Sequence, residues 1–203
     1  MSESHPPESM VDLDTSSPVW ERAFTVAPLV VIGTREGEGY DLAPKHMAMP
    51  VGWENHFAFA CTPEHATYHN AKENGAFTVS FPGPDQVVIT SLSAAVRPEE
   101  GCPTPGLDAL PTEPAEHIEG RVLKGALLVL ECELVNVIDG IGSASLLIGR
   151  IVAARARAEA LRTTGVDDEE VIRHAPLLAY LSPGRWAEVG ESRNFPFPAD
   201  FKR

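Results

Sequence analysis

Residues 40–81 read YDLAPKHMAMPVGWENHFAFACTPEHATYHNAKENGAFTVSF, and the order of patterns inside this stretch decides the fold. Phe57, Phe59 and Cys61 alternate with Ala58 and Ala60, while Phe77, Val79 and Phe81 alternate with Thr78 and Ser80. A period of two puts each apolar set on one face of a strand, so two strands turned to one core are expected. Between them, Thr62-Pro63 offers a capping hydroxyl and a proline suited to the first helical position. Glu64 suits the positive end of the helix dipole, and Gly75 can take the left-handed conformation that closes a helix. The spacing predicts a helix over 63–74. His65 and His69 stand four apart and should share a face of it, yet no HExxH glutamate and no third ligand accompany them, so no metal site is expected.

Working outward, APLVVIGT at 27–34 is a short β-branched run, and the glycines of REGEG allow it to turn back into Tyr40–Leu42 as a hairpin. Leu128, Leu130, Cys132 and Leu134 should line the buried face of a long strand, with Glu131 and Glu133 on its other face, and Leu146–Ala154 supplies an antiparallel partner. Val166–His174 reads as a short helix opened by Asp167 and Asp168 and stopped by Pro176. The segment 97–117 contains Pro98, Pro103, Pro105, Pro111 and Pro114 and reads as a long loop with a lid or dimer-contact role, plain disorder being the alternative. Residues 1–18, rich in Ser, Pro and Glu, read as a flexible tail ahead of one domain over 19–203 that ends in an extended arm carrying Phe195 and Phe197.

Composition narrows the partners. The chain has 203 residues, enough for one domain with a substantial core. Its 16 Lys and Arg against 29 Asp and Glu give a net charge of −13, which repels phosphodiester backbones and anionic lipid, so neither nucleic acid nor membrane is an expected partner. No apolar run reaches a membrane-spanning length, and MSESHPPESMVDLDTSS lacks the features of a signal peptide, so a cytoplasmic protein is expected. Cys61, Cys102 and Cys132 form no CxxC pair and are expected to be free thiols. The sequence contains no GxSxG, GxGxxG or GxxxxGK[ST] pattern, which removes the main support for hydrolase, Rossmann and P-loop readings. In so acidic a chain the few cations are informative, and Lys45, Lys72 and Arg185 are the candidates to meet an anionic ligand.

Taken with LVVIGT at 29–34 and LLIGRIVAA at 146–154, the 40–81 segment resembles the flavin reductase family over roughly residues 20–195. The resemblance implies a mainly β fold with a few helices, an FMN-binding split β-barrel. That family carries an Asn-x-Ala-Pro-x-Ser type turn, to which Asp41-Leu42-Ala43-Pro44-Lys45-His46 corresponds. Ala43 and Pro44 match, whereas Asp41 replaces the usual amide and His46 the usual hydroxyl. A tight Ala-Pro turn would let the backbone approach the pyrimidine edge of a flavin, with Lys45 or His46 meeting the phosphate or that edge. The family's Thr-x-x-Asn pair corresponds to Thr67 and Asn70. Cys61 and Thr62 fall just before the expected helix, where free N–H groups and the dipole favour a phosphate, although Thr62 serves equally as a plain cap. Trp186, with Arg185 beside it, corresponds to an aromatic near the flavin site or the dimer interface, and equally suits a role covering the core.

By the same resemblance, hydride passes from NADH or NADPH to FMN, with FAD left open, in a homodimer that hands reduced flavin or electrons to a monooxygenase or another acceptor. No catalytic acid or base is expected, because hydride chemistry resides in the flavin. The rival reading is a non-enzymatic FMN-binding electron-transfer protein. A pyridoxamine-phosphate-oxidase-like enzyme would need more cations than this chain provides.

Overall fold

The computed structural model describes residues 10–94 and 107–198. Among the described residues, regular structure begins with a 3-10 turn at Val19–Glu21 and the strand β1, Thr25–Pro28. The strands β2 (Val30–Glu36), β3 (Gly39–Lys45), β4 (Ala48–Pro50) and β5 (His56–Cys61) lead to the helix α1, Ala66–Asn74. After β6 (Ala76–Phe81) come the short helix α2 (Val87–Leu92) and the strands β7 (Thr112–Pro114) and β8 (Arg121–Leu123). The long pair β9 (Leu128–Ile141) and β10 (Ala144–Ala156) precedes α3 (Asp168–His174), β11 (Leu177–Ser182) and β12 (Arg185–Val189). The chain is mostly β. Seven strands in the order β3-β2-β6-β9-β10-β5-β4 form one antiparallel sheet that curls into a half-barrel. Smaller sheets β1-β11-β12 and β7-β8 flank it.

Period-two alternation builds two cores, one on each face of the curled sheet. Val30, Ile32, Phe57, Phe59, Phe77, Val79, Leu130, Cys132 and Leu147 point under α1, where Tyr68 and Ala71 close the cluster. Val31, between two members of that cluster, points the other way and meets Leu42, Leu110, Val122, Leu123 and Val129. The alternating runs of β5 and β6 therefore face one core as the sequence predicts, and β9 and β10 pair antiparallel through a hairpin as it also predicts.

Several expectations need correction. The run at 27–34 is not one strand, because Pro28, which lacks an N–H, ends β1 in the small sheet and the chain changes sheets before Val30. The helix does not start at Pro63: residues 62–65 first form a turn closed by the His65 N–H on the Thr62 carbonyl at 3.0 Å, and α1 opens only at Ala66 with His65 at its N-cap. Gly75 closes α1 at φ 64°, as expected. The predicted helix at 166–174 is α3, whose N-cap Asp167 accepts the Glu169 N–H at 2.8 Å.

The long proline-rich loop is partly structured. Residues 97–106, with Cys102, lie outside the described residues, as do residues 1–9 of the expected tail. The remainder forms a 3-10 turn at Leu107–Ala109 and β7, which pairs with β8, and Leu110 is buried in the second core. This covering segment also overturns the expectation for Glu131. Its side chain is only 1% exposed, with its carboxylate accepting the backbone N–H groups of Glu116 at 2.9 Å, His117 at 2.7 Å and Ile118 at 3.2 Å.

Candidate functional site

The strands β3 and β5 end side by side, and the turn between β5 and α1 lies across them. Ala43 and Pro44 belong to β3, paired with Ile32 and Val31, and not to a tight turn as the sequence suggests. β3 is an edge strand, where a proline costs no ladder hydrogen bond. The bend comes one step later, at His46 and Met47. It turns Lys45 back toward the start of α1, where its Nζ lies 3.5 Å from His65 Nδ1.

Beneath this contact runs a buried polar layer between sheet and helix. The Thr67 hydroxyl donates to the Asp41 carboxylate at 3.2 Å, and the Asn70 amide donates to the Thr34 hydroxyl at 3.3 Å. All four side chains are buried. Asp41 and Thr67 thus fix where α1 begins, while Thr62, Lys45 and His65 lie above them at the surface. The thiol of Cys61 is buried next to Lys45 and approaches the Thr62 carbonyl at 3.6 Å. Burial pushes that thiol above its ordinary range, with Lys45 opposing, so Cys61 is held as a neutral thiol.

The histidines are tuned the other way. Burial, and then the Lys45 ammonium, hold His65 below the ordinary imidazole value, against the smaller opposing effects of Glu64 and Asp41. His46 is depressed by burial and by the same ammonium. At neutral pH both rings are therefore neutral, and Lys45 carries the fixed positive charge of the cluster. Among the described residues no side chain caps the N-terminus of the nine-residue helix α1. An ammonium, a hydroxyl and two adaptable imidazoles beside an uncapped helix start make a donor set suited to a phosphate or similar anion.

On the other flank, the His46 ring lies 4.5 Å from the ring of Tyr180 on β11. Trp186 stands directly across from Tyr180 in the β11–β12 ladder and Arg185 across from Leu181, which brings the C-terminal aromatic to the same side of the molecule as the Lys45 cluster. Trp186 is half exposed, so in the single chain it does not close the core. The structure thus gathers Asp41, Lys45, Cys61, Thr62 and Thr67 tightly. Asn70 lies one turn further along α1, and His46, Arg185 and Trp186 form the flank.

Two features escape sequence reasoning. Tyr68 donates to Asp139 at 2.8 Å, Ser145 donates to the same oxygen at 2.7 Å, and Lys72 donates to the Tyr68 hydroxyl at 2.8 Å while lying over its ring. This network ties α1 to the β9–β10 hairpin and takes Lys72 off the list of cations aimed at a ligand. Nothing local signals it, since Asp139 beside Gly140 reads as ordinary hairpin chemistry. His65 and His69 do not share a helical face either: His65 precedes the helix and meets Lys45, whereas His69 packs edge-on against Tyr68.

Comparison with known proteins follows the same line. The profile of the flavin reductase like domain matches residues 22–180. Among solved structures, nitrilotriacetate monooxygenase component B from Bacillus cereus superposes with a TM-score of 0.77 at 21% identity, covering 93% of this chain and 100% of that one. An FMN-binding protein from Thermus thermophilus gives a TM-score of 0.73 at 19% identity, with 93% and 99% covered. An NADH:FAD oxidoreductase from Streptomyces globisporus gives 0.69 at 15% identity, with 90% and 98% covered. No curated protein matches the sequence. The half-barrel with its flanking small sheet is the split β-barrel of these proteins.

Proposed function

The chain belongs to the flavin reductase-like family, and from that premise we propose that it is an oxidoreductase that binds FMN and reduces it with NADH or NADPH. The observation that carries the proposal is the Lys45 cluster at the uncapped start of α1, a built anion site in a chain whose surface is otherwise acidic. Lys45 and Thr62 would hold the phosphate, and the exposed edge of β3 at Ala43 and Pro44 would pass along the flavin, with His46 at its margin. Asp41, Thr67 and Asn70 set the helix start and the ribityl side of the site, and the Cys61 thiol packs beneath it. Trp186 and Arg185 flank the open side, where an aromatic face can shield the ring from water. When bound, the flavin supplies the hydride chemistry, and the protein's part is to bind, orient and exclude water.

The single experiment is a visible spectrum of the FMN-loaded protein before and after anaerobic NADH or NADPH, followed by free FMN in excess. Bleaching with turnover supports the reductase. Bound flavin that neither nucleotide reduces would favour an electron carrier instead. Lys45→Ala is expected to weaken FMN binding by about 1–2 kcal/mol, roughly five- to thirtyfold, through loss of a contact to a charged group. Riboflavin, which lacks the phosphate, should bind both forms equally, and an unchanged FMN affinity would remove Lys45 from the site.

The working unit of this reading is a homodimer. Met47 and Met49 on the bend and edge strand β4 are more than half exposed, and Trp53 just beyond is 91% exposed, an apolar margin beside the site that a second copy would cover. Equilibrium sedimentation should give a dimer, and Met49→Glu should shift the population to monomer. A monomeric wild type would end this part of the proposal. Reduced flavin or its electrons then pass to a separate acceptor such as a monooxygenase, in the cytoplasm; among the described residues no helix is long and apolar enough to cross a membrane.

A further inference from the structure

The contact between Lys45 and His65 has a consequence for how the site meets an anion. Lys45 comes from β3 and His65 from the turn before α1, and their side chains meet at 3.5 Å with Nδ1 of the ring facing the ammonium. An ammonium can only donate, so Nδ1 must accept, and the neutral ring carries its proton on Nε2. The charged groups facing this ring are Lys45 and Asp41 from β3 and Glu64 from its own turn, while the Cys61 thiol on β5 lies against the same ammonium. Asp41 is buried and accepts the Thr67 hydroxyl, which holds its carboxylate in place. The ammonium is the group free to move, because it ends a long flexible side chain.

We propose that the Lys45–His65 pair is a proton switch operated by the phosphate of the ligand: Lys45 swings from Nδ1 to the incoming phosphate, and the vacated Nδ1 takes a proton from solvent to become a second cation beside it. The inference rests on the flavin-binding reading above and adds to it the protonation state of the site. The balance is simple. One proton leaves bulk water and binds Nδ1, no covalent bond of the ligand changes, and the imidazolium then donates from both nitrogens. A dianion next to the ring favours its charged form, and departure of the ammonium removes a group that opposed that form. Without ligand, burial and Lys45 keep the ring neutral at physiological pH, so an acidic protein need not hold two cations in contact.

The test is an NMR titration of the histidine Cε1–H signals in the full-length protein, with His65 assigned by the signal lost in His65→Gln. It is run without ligand, with FMN, with riboflavin and with inorganic phosphate. Without ligand the His65 midpoint should lie below the ordinary imidazole value, and Lys45→Met should raise it. FMN should raise it by about one pH unit or more, the effect of an adjacent opposite charge, and riboflavin should not. An unmoved midpoint while flavin fluorescence shows FMN bound would overturn the switch and leave the flavin reading standing, as would an equal rise with riboflavin. If neither flavin binds, the flavin reading fails, and inorganic phosphate decides the switch: a raised midpoint upholds it and an unmoved one overturns it.

Discussion

Glu131→Ala should lower the unfolding free energy by about 3–5 kcal/mol, since it removes from three partly buried backbone donors their hydrogen bonds to a charged group, each worth about 1.5–3 kcal/mol. The carboxylate is 1% exposed and holds the N–H groups of Glu116, His117 and Ile118, three consecutive residues that no strand ladder reaches. Removing it also unfastens the segment from β7 to β8, which carries part of the second core on Leu110, Val122 and Leu123. Glu131→Gln keeps one acceptor but turns an NH2 group toward an N–H, so it should lose less, about 1–3 kcal/mol. Denaturant unfolding measures both, and hydrogen exchange at 116–118 should accelerate in each variant. A Glu131→Ala protein as stable as the parent, with 116–118 still protected, would show that the carboxylate does not hold this segment.

That residue also shows where sequence reading reaches its limit. Alternation correctly puts Leu130 and Cys132 on the buried face of β9, and the same logic sends Glu131 to water. The logic fails because a proline-rich stretch folds back over the outer face, and nothing in the local pattern of β9 announces a cover that comes from residues 107–123. Sheet order is less legible than strand identity for a similar reason: β6 lies between β2 and β9, a pairing set by long-range packing.

Within the candidate site, legibility follows the range of the interaction. Asp41, Lys45, Thr62 and Thr67 are recognisable because they sit in short strings around the β3 and β5 ends, and the fold brings those ends together. α1 starts three residues beyond the position the sequence predicts because Thr62-Pro63 suits a turn as well as a helix N-terminus, and only the His65 N–H on the Thr62 carbonyl decides between them. His65 consequently changes role, from a helical neighbour of His69 to the partner of Lys45. Tyr180, which packs on His46, stands on a strand whose alternation gives no hint of that contact.

Gly149 leaves no room for a side chain in the first core, and Gly149→Ala should cost about 2–3 kcal/mol, with Gly149→Val costing more. It lies in the middle of β10, between β9 and β5, where a register shift brings it opposite Leu134 and Phe57. A Cβ there would lie 2.5 Å from Phe77 Cζ, 2.7 Å from Phe77 Cε1 and 2.9 Å from Cys132 Cβ, all closer than nonbonded carbons approach. The ring cannot simply swing away, because it packs edge-on against Phe59 at 5.0 Å within the cluster beneath α1. The glycine therefore exists to let an aromatic ring lie against the strand, and the two positions should be energetically coupled. Phe77→Leu alone should destabilise by about 1–2 kcal/mol through lost packing, yet it opens the space that the new methyl needs. In the double variant the two losses should fall short of their sum by about 1 kcal/mol or more, the mark of residues that share one volume. Strictly additive losses in denaturant unfolding would mean that the strand shifts to accept the methyl and that Phe77 is not what requires glycine at this position.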